Sequence, residues 1–555
     1  MQYLKPLPLP YDVRAWQKRS PAERLKMVCQ AWATQGYGTP WPIYVVYLLK
    51  VVAYVGGWCF FCSFSPALGD PRTLGQWWYL PVAFQKAVLW SIAFEGLGLG
   101  CGSGPLTGRY FPPLGGVLYF ARPGTTKMPL LPGLPIFGGD RRTVLDVALY
   151  LAHYGFLVRA LVAPALTPAL VLPTIVFLPL LGLTDKTLFL SARAEHYGAA
   201  LVCFLFVDDG EWIAGAKLVW LSVWLWAATS KLNRHFPSVV AVMQSNSPLT
   251  AIGSLRKAFF RAYPRDLRPS ALSHALAHAG TVAELSFPLV LVASSGGLVT
   301  RITLLGMLLF HLFITSSVPM GVPIEWNVMM VYGAFVLFGH HAGASVLALA
   351  SPLLIAFLLV ACFGMQLAGN LFPQWVSFLV SMRYYAGNWA YSVWLFKGDS
   401  SRKLDLHLTK SSPRVQDQLA KLYDEETTVG LLSKVIAFRA MHLQGRALQL
   451  LLPQAVDDLD AYEQVDGELV AGVVIGWNFG DGHLHDGQLL AAVQRQCGFE
   501  EGELRCIFVE SQAMGRPDLG WTIADAKAGV RARGRIAVKS LEALQPWPSS
   551  ADETR

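Results

Sequence analysis

The stretch IYVVYLLKVVAYVGGWCFFCSF, residues 43–64, carries a single charge, Lys50, in twenty-two positions. An α-helix needs about 20 largely apolar residues to cross a hydrocarbon layer about 30 Å thick. One such run could be a core helix, but further apolar segments follow at about 78–99, 144–163, 165–184, 195–208, 212–230, 273–294, 300–319, 324–340 and 344–363. Ten spanning helices are expected, and lipid is the solvent for most of the chain.

Composition points the same way. Of 555 residues, 53% are hydrophobic and 15% charged, with mean hydropathy +0.40, the wrong balance for a water-facing surface. Eighteen Trp and thirty Phe suit bilayer interfaces. The first forty residues mix charges with prolines and show no apolar core of a cleavable signal, so insertion is expected to begin with the first span. The eight cysteines are scattered without zinc or disulfide spacing; Cys59 and Cys62 form a C-x-x-C inside an apolar run, where packing is the expected role. The net charge of +8 is too diffuse for nucleic acid and fits loops facing an anionic leaflet.

Charge placement orients the chain. Lys5, Arg14, Lys18, Arg19, Arg24 and Lys26 put residues 1–40 in the cytoplasm by the positive-inside rule. The connections 101–142 and 231–270 are also basic, and an even number of spans returns Lys397, Arg402 and Lys403 to the same side. The expected organisation is a cytoplasmic segment 1–40, an all-α polytopic membrane domain 41–396 with a Gly/Pro-rich cytoplasmic loop 100–142, and a small α+β soluble domain 397–555. Residues 366–396 read as an interfacial helix or a further span. In the tail, 414–452 read as helices, 469–475 and 506–510 as strands, and 487–497 as a helix. The expected location is the inner (plasma) membrane, multi-pass, with both termini cytoplasmic.

Ionisable side chains in hydrocarbon are expensive, so each is a candidate for function. Lys231 ends one apolar helix, His196 opens another, His274, His278 and Glu284 lie along a third, and His311 sits inside a fourth. The i, i+4 spacing puts His274 and His278 on one face, but two histidines without a third ligand are more often packed than metallated. Gly102, Gly104 and Gly108 beside Arg109, Arg122 and Lys127 could cradle a lipid phosphate or form a lid packed over the helices. In the tail, Asp481, His483, His485 and Asp486 crowd one turn; they offer a weak metal site, or a turn in which Asp486 caps the next helix.

The order Asp185-Lys186-Thr187, His196, an apolar helix ending Lys231-Leu232, a His-rich helix with Glu284, and Phe310-His311 resembles the membrane domain of the vitamin K-dependent gamma-carboxylase, within the horizontally transferred transmembrane domain superfamily. The likeness covers roughly residues 180–335. It implies that Lys231 acts as base with His196 during oxygenation of a reduced quinone; His274, His278, Glu284 and His311 are expected beside them as substrate-binding residues. Gly104 to Pro113, Arg122 to Lys127 and Phe479 to His485 also make the chain similar, along nearly its full length, to a family of actinobacterial and other bacterial transmembrane proteins of unknown function. The resulting expectation is a carboxylase-like or oxygenase-like membrane enzyme for a quinone, isoprenoid or other lipophilic molecule. The competing one is a transporter or scaffold for cell-envelope lipids. Expected partners are membrane lipids and a lipophilic small molecule; a reduced quinone is the implied cofactor, and metal is not.

Overall fold

A computed structural model describes residues 4–100, 115–317, 323–376, 386–478 and 481–548. Its longer helices in chain order begin with α1 (Pro21–Gln35), opened by a capping box between Ser20 and Glu23. Next come α2 (Trp41–Cys62), α3 (Pro81–Gly96), α4 (Val144–Val162) and α5 (Pro168–Thr184). The central group is α6 (Asp209–Ser230), α7 (Phe236–Asn246), α8 (Ala271–Ala293), α9 (Gly297–Ser317) and α10 (Ile324–Gly333), which runs on through a wide turn over Ala334–His340. The last helix of this region, α11, covers Pro352–Leu371.

Among the described residues, six of these helices are long and apolar enough to cross a membrane: α2, α4, α6, α8, α9 and α11. The ten expected spans are not confirmed as such. Two of the other four, α3 with 16 residues and α5 with 17, fall short of that length. Segment 195–208 is a wide turn, Ala194–Gly198, followed by a five-residue helix ending at Cys203. Segment 324–340 is α10 plus its wide turn. The reason is clearest in α3: from Ala83 to Gly96 nearly every side chain is buried, including Lys86, Ser91 and Glu95. A helix enclosed by protein is apolar all round without facing lipid. The last span also shifts, from 344–363 to Pro352–Leu371, so the described part of residues 366–396, expected as an interfacial helix or a further span, holds the end of that helix and, from Tyr391, the start of a strand, while residues 377–385 lie outside the described residues.

The C-terminal region is α+β, as expected, built on an antiparallel sheet. Strand β1 (Tyr391–Lys397) precedes α12 (Glu425–Ala440), α13 (Leu443–Ala455), β2 (Tyr462–Asp466), α14 (Gly467–Val474), α15 (Gly487–Cys497), β3 (Leu504–Val509), β4 (Asp518–Asp525) and β5 (Gly529–Ala537). The sheet order is β2-β1-β3-β4-β5, with Trp394 opposite Val465 on one side and Cys506 on the other. Segment 469–475, expected as a strand, is α14: Asp466 accepts from the Glu468 N–H at 2.7 Å and starts a helix whose residues are all buried. Burial on every side erases the periodicity that separates helix from strand.

The regions share cores. Trp394, Ile507, Val474 and Leu489 of the sheet unit pack in one cluster with Tyr119, Phe120, Tyr150 and Leu181 from the helical region. A second cluster joins α1 through Trp32 to α12 through Phe438, and to Val242 of α7. Trp32 is fully buried, and its indole N–H donates to the Val242 carbonyl at 3.2 Å.

Candidate functional site

Between α6, α7, α8, α9 and α10 lies a cavity of about 370 Å³. Trp224, Phe310, Ile314 and Met330 give it mostly apolar walls, and Lys231, Glu284 and His311 also line it. Trp389, Phe438 and His442 close it from the C-terminal unit. Gly387, at φ +75°, makes this junction: a Cβ there would lie 2.4 Å from Val239 Cγ2, so glycine lets the chain pass close to α7 and set Trp389 against the cavity.

Lys231 follows α6 and is its C-cap, where a cation meets the negative end of the helix dipole. Its ammonium donates to the Glu284 carboxylate on α8 and lies 5.5 Å from the Phe236 ring centre; both ionic side chains are buried. His311 is held at both nitrogens: Nδ1 pairs with Asn327 Oδ1 at 2.8 Å, and Trp224 Nε1–H donates to Nε2 at 3.2 Å. Asn327 is oriented in turn, because its amide donates to the Pro323 carbonyl at 2.9 Å. The protons therefore belong on His311 Nδ1 and on the Trp224 indole. Gln244 donates to Ser317 Oγ at 3.0 Å beside them.

The other expected residues are placed elsewhere. His196 is buried in the wide turn after α5 and accepts from Trp326 Nε1–H at 3.1 Å; it does not line the cavity and is not brought to Lys231. Trp326 itself lines the cavity. His274 and His278 share a face of α8 as their spacing requires, but His278 is exposed and His274 half-buried, and neither lines the cavity. Arg109 lies outside the described residues. Arg122 is exposed, whereas Lys127 is buried, paired with Asp146 at 2.7 Å and bonded to the Phe137 carbonyl at 3.0 Å. Arg142 beside it pairs with Asp185, so the described part of this loop is clamped to the helices by two buried ion pairs.

In the tail turn, Asp481 and Asp486 act as caps, accepting from the His483 and Gln488 N–H groups at 3.1 and 2.8 Å. His483 sits between Glu510 at 3.0 Å and Asp481 at 3.3 Å. Burial lowers its proton affinity, but the two carboxylates prevail and hold the imidazole up at about 10. His485 points to Ser392 Oγ at 2.7 Å, and burial pushes it down to about 4. Among the described residues no group of three or more His, Cys, Asp or Glu is disposed to hold a metal ion.

Sequence reasoning missed His442, Trp389 and Trp326, and a second buried charge cluster in which Lys50 meets Glu325 at 3.0 Å while Glu95 meets Arg193 at 3.8 Å. Lys50 was a legible signal, being the one charge in the first apolar run. His442 gave none: it lies in an ordinary amphipathic stretch, and only the tertiary fold carries it to the membrane helices.

No curated protein and no solved structure matches the chain. The family described as a transmembrane protein of unknown function (DUF3556) matches residues 1–554, in keeping with six apolar helices of spanning length, and the chain belongs to that family.

Proposed function

We propose that this protein binds a lipophilic small molecule of isoprenoid or quinone class in the cavity between α6, α8, α9 and α10, and acts on its head group with the Lys231–Glu284 pair. The observation that carries this reading is a ligand-sized cavity, apolar over most of its wall, into which one buried ion pair opens. A buried ion pair adds little stability that apolar packing would not supply, so its natural use is chemical or recognitional. The Lys231 amine offers a hydrogen-bond donor and the Glu284 carboxylate an acceptor, so donor and acceptor face one bound molecule. His311, held at both nitrogens, shapes the wall and fixes Trp224. In this reading α1 and the sheet unit lie on the cytoplasmic face of the plasma membrane, as the basic connections support.

The test uses the full chain in nanodiscs. A Cβ at Gly280, which lines the cavity, meets no atom within 4 Å, so the position opens on free space that Gly280→Leu would occupy, and the change adds about 1 kcal/mol of helix propensity. Mass spectrometry of extracted lipid is expected to find an isoprenoid or quinone with the wild type and less of it with Gly280→Leu and with Lys231→Met. The same lipids in the same amounts from all three proteins would overturn the reading.

A further inference from the structure

The cavity has two imidazoles in its wall, and their hydrogen bonds differ. His311 has a protein partner at each nitrogen, Asn327 and Trp224. His442, between α12 and α13, has one: Nδ1 lies 2.7 Å from the Phe438 carbonyl oxygen. A carbonyl only accepts, so the proton sits on Nδ1 and Nε2 carries a lone pair. Nε2 is buried and has no hydrogen-bond partner among the described residues, although the ring as a whole is only 1% exposed. The ring is fixed edge-on against Trp389 at 5.1 Å and Phe438 at 4.8 Å, both of which also line the cavity.

A buried acceptor left without a donor is unfavourable, whereas a ligand donor placed against it recovers the lost hydrogen bond. Protonation does not relieve it. Burial, with help from Arg439 and Arg446 and against the Phe438 carbonyl, pushes the imidazole down to about 3. The ring therefore stays neutral, with the same tautomer, across the pH range of a living cell. An ether or carbonyl oxygen brings only lone pairs to this site, while a hydroxyl brings a hydrogen.

We propose that His442 Nε2 accepts a hydrogen bond from a hydroxyl of the bound molecule, so that the cavity selects a lipophilic alcohol or phenol over the ether of the same skeleton. The inference rests on the reading of the cavity as a lipophilic site and adds the chemical class of the head group. It also makes the C-terminal unit a contributor to specificity.

Calorimetric titration of the full chain in nanodiscs with geranylgeraniol, a prenylated phenol and the methyl ether of each tests it. The wild type is expected to bind the hydroxyl form of at least one pair about 3- to 10-fold more tightly than its ether, the range of one neutral hydrogen bond. Whichever pair shows the preference identifies alcohol or phenol. His442→Phe, or His442→Met if the first variant does not fold, is expected to bring that ratio to about one. Equal binding of hydroxyl and ether by the wild type overturns the inference alone, as does a ratio that survives loss of the imidazole. Failure of every probe to bind, with lipid content unchanged in Gly280→Leu, overturns the underlying reading as well.

Discussion

Lys231 and Glu284 hold each other in a medium where neither ion is well solvated by itself. Glu284→Leu leaves the ammonium buried without its carboxylate and is expected to cost about 3–5 kcal/mol, read as a loss of thermal stability in detergent. The double variant Lys231→Met/Glu284→Leu is expected to recover most of that loss, because an apolar pair of similar volume needs no solvation. A double variant as unstable as Glu284→Leu would show that the pair is not the reason. His483 behaves oppositely, since its carboxylate partners raise its folded value to about 10 against an ordinary value near 6.5. A group raised on folding stabilises fully below its unfolded value, and the contribution fades as pH climbs through the folded one. The stability gap between wild type and His483→Gln is therefore expected to be largest at pH 6, smaller at pH 8 and nearly closed at pH 10. A gap independent of pH would contradict the clamp. At this scale the sequence was readable where rarity is the signal. Lys231, Glu284 and His311 stand out as ionisable groups in apolar helices, and the fold brings all three to one cavity. The same rule singled out His278, which faces outward, because a single residue step along α8 separates it from Ala279, which lines the cavity, and composition does not report rotation.

Among elements, α15 was legible to its bounds, Gly487–Cys497: its apolar residues recur at helical spacing and Asp486 caps it. Its neighbour α14 was not, because an eight-residue helix buried on all sides reads like a core strand. Asp466 is the residue that decides it. It caps α14, accepts from Arg439 Nε at 2.8 Å and receives the Tyr391 hydroxyl at 2.8 Å. Asp466→Ala removes the cap, worth about 1 kcal/mol, and one carboxylate from a buried guanidinium, so a total loss above about 3 kcal/mol is expected in chemical denaturation. A change below about 1 kcal/mol would mean that Glu468, 2.8 Å from Arg439 Nη2, suffices alone. The apolar run that became α3 illustrates the matching ambiguity in the helical region, since burial by protein and immersion in lipid select the same side chains.

For the whole molecule, the contact of α1 with α12 fixes a relation that charge counting only suggested. Lys5 pairs with Asp424 at 3.2 Å and Arg24 with Asp460 at 2.5 Å, so the segment before the first span and the sheet unit after the last lie on one side. Six crossings satisfy that, as would ten; an odd number would not. Single variants Lys5→Cys and Asp424→Cys, both at exposed positions, are expected to react with a membrane-impermeant maleimide from the same side of sealed vesicles. Labelling from opposite sides would refute the packing. Membrane character was plain from hydropathy alone, whereas the joining of residues hundreds of positions apart had no local signature.

Because the chamber draws part of its wall from the helical bundle and part from Trp389, Phe438 and His442, any guest bridges two bodies. By linkage, whatever fastens the sheet unit to the bundle tightens the hold on the guest, and a guest in place fastens the sheet unit by the same free energy. In the reading proposed above, filling of the cavity and docking of the sheet unit are then one equilibrium, so a change that loosens the sheet unit discharges the guest without touching it.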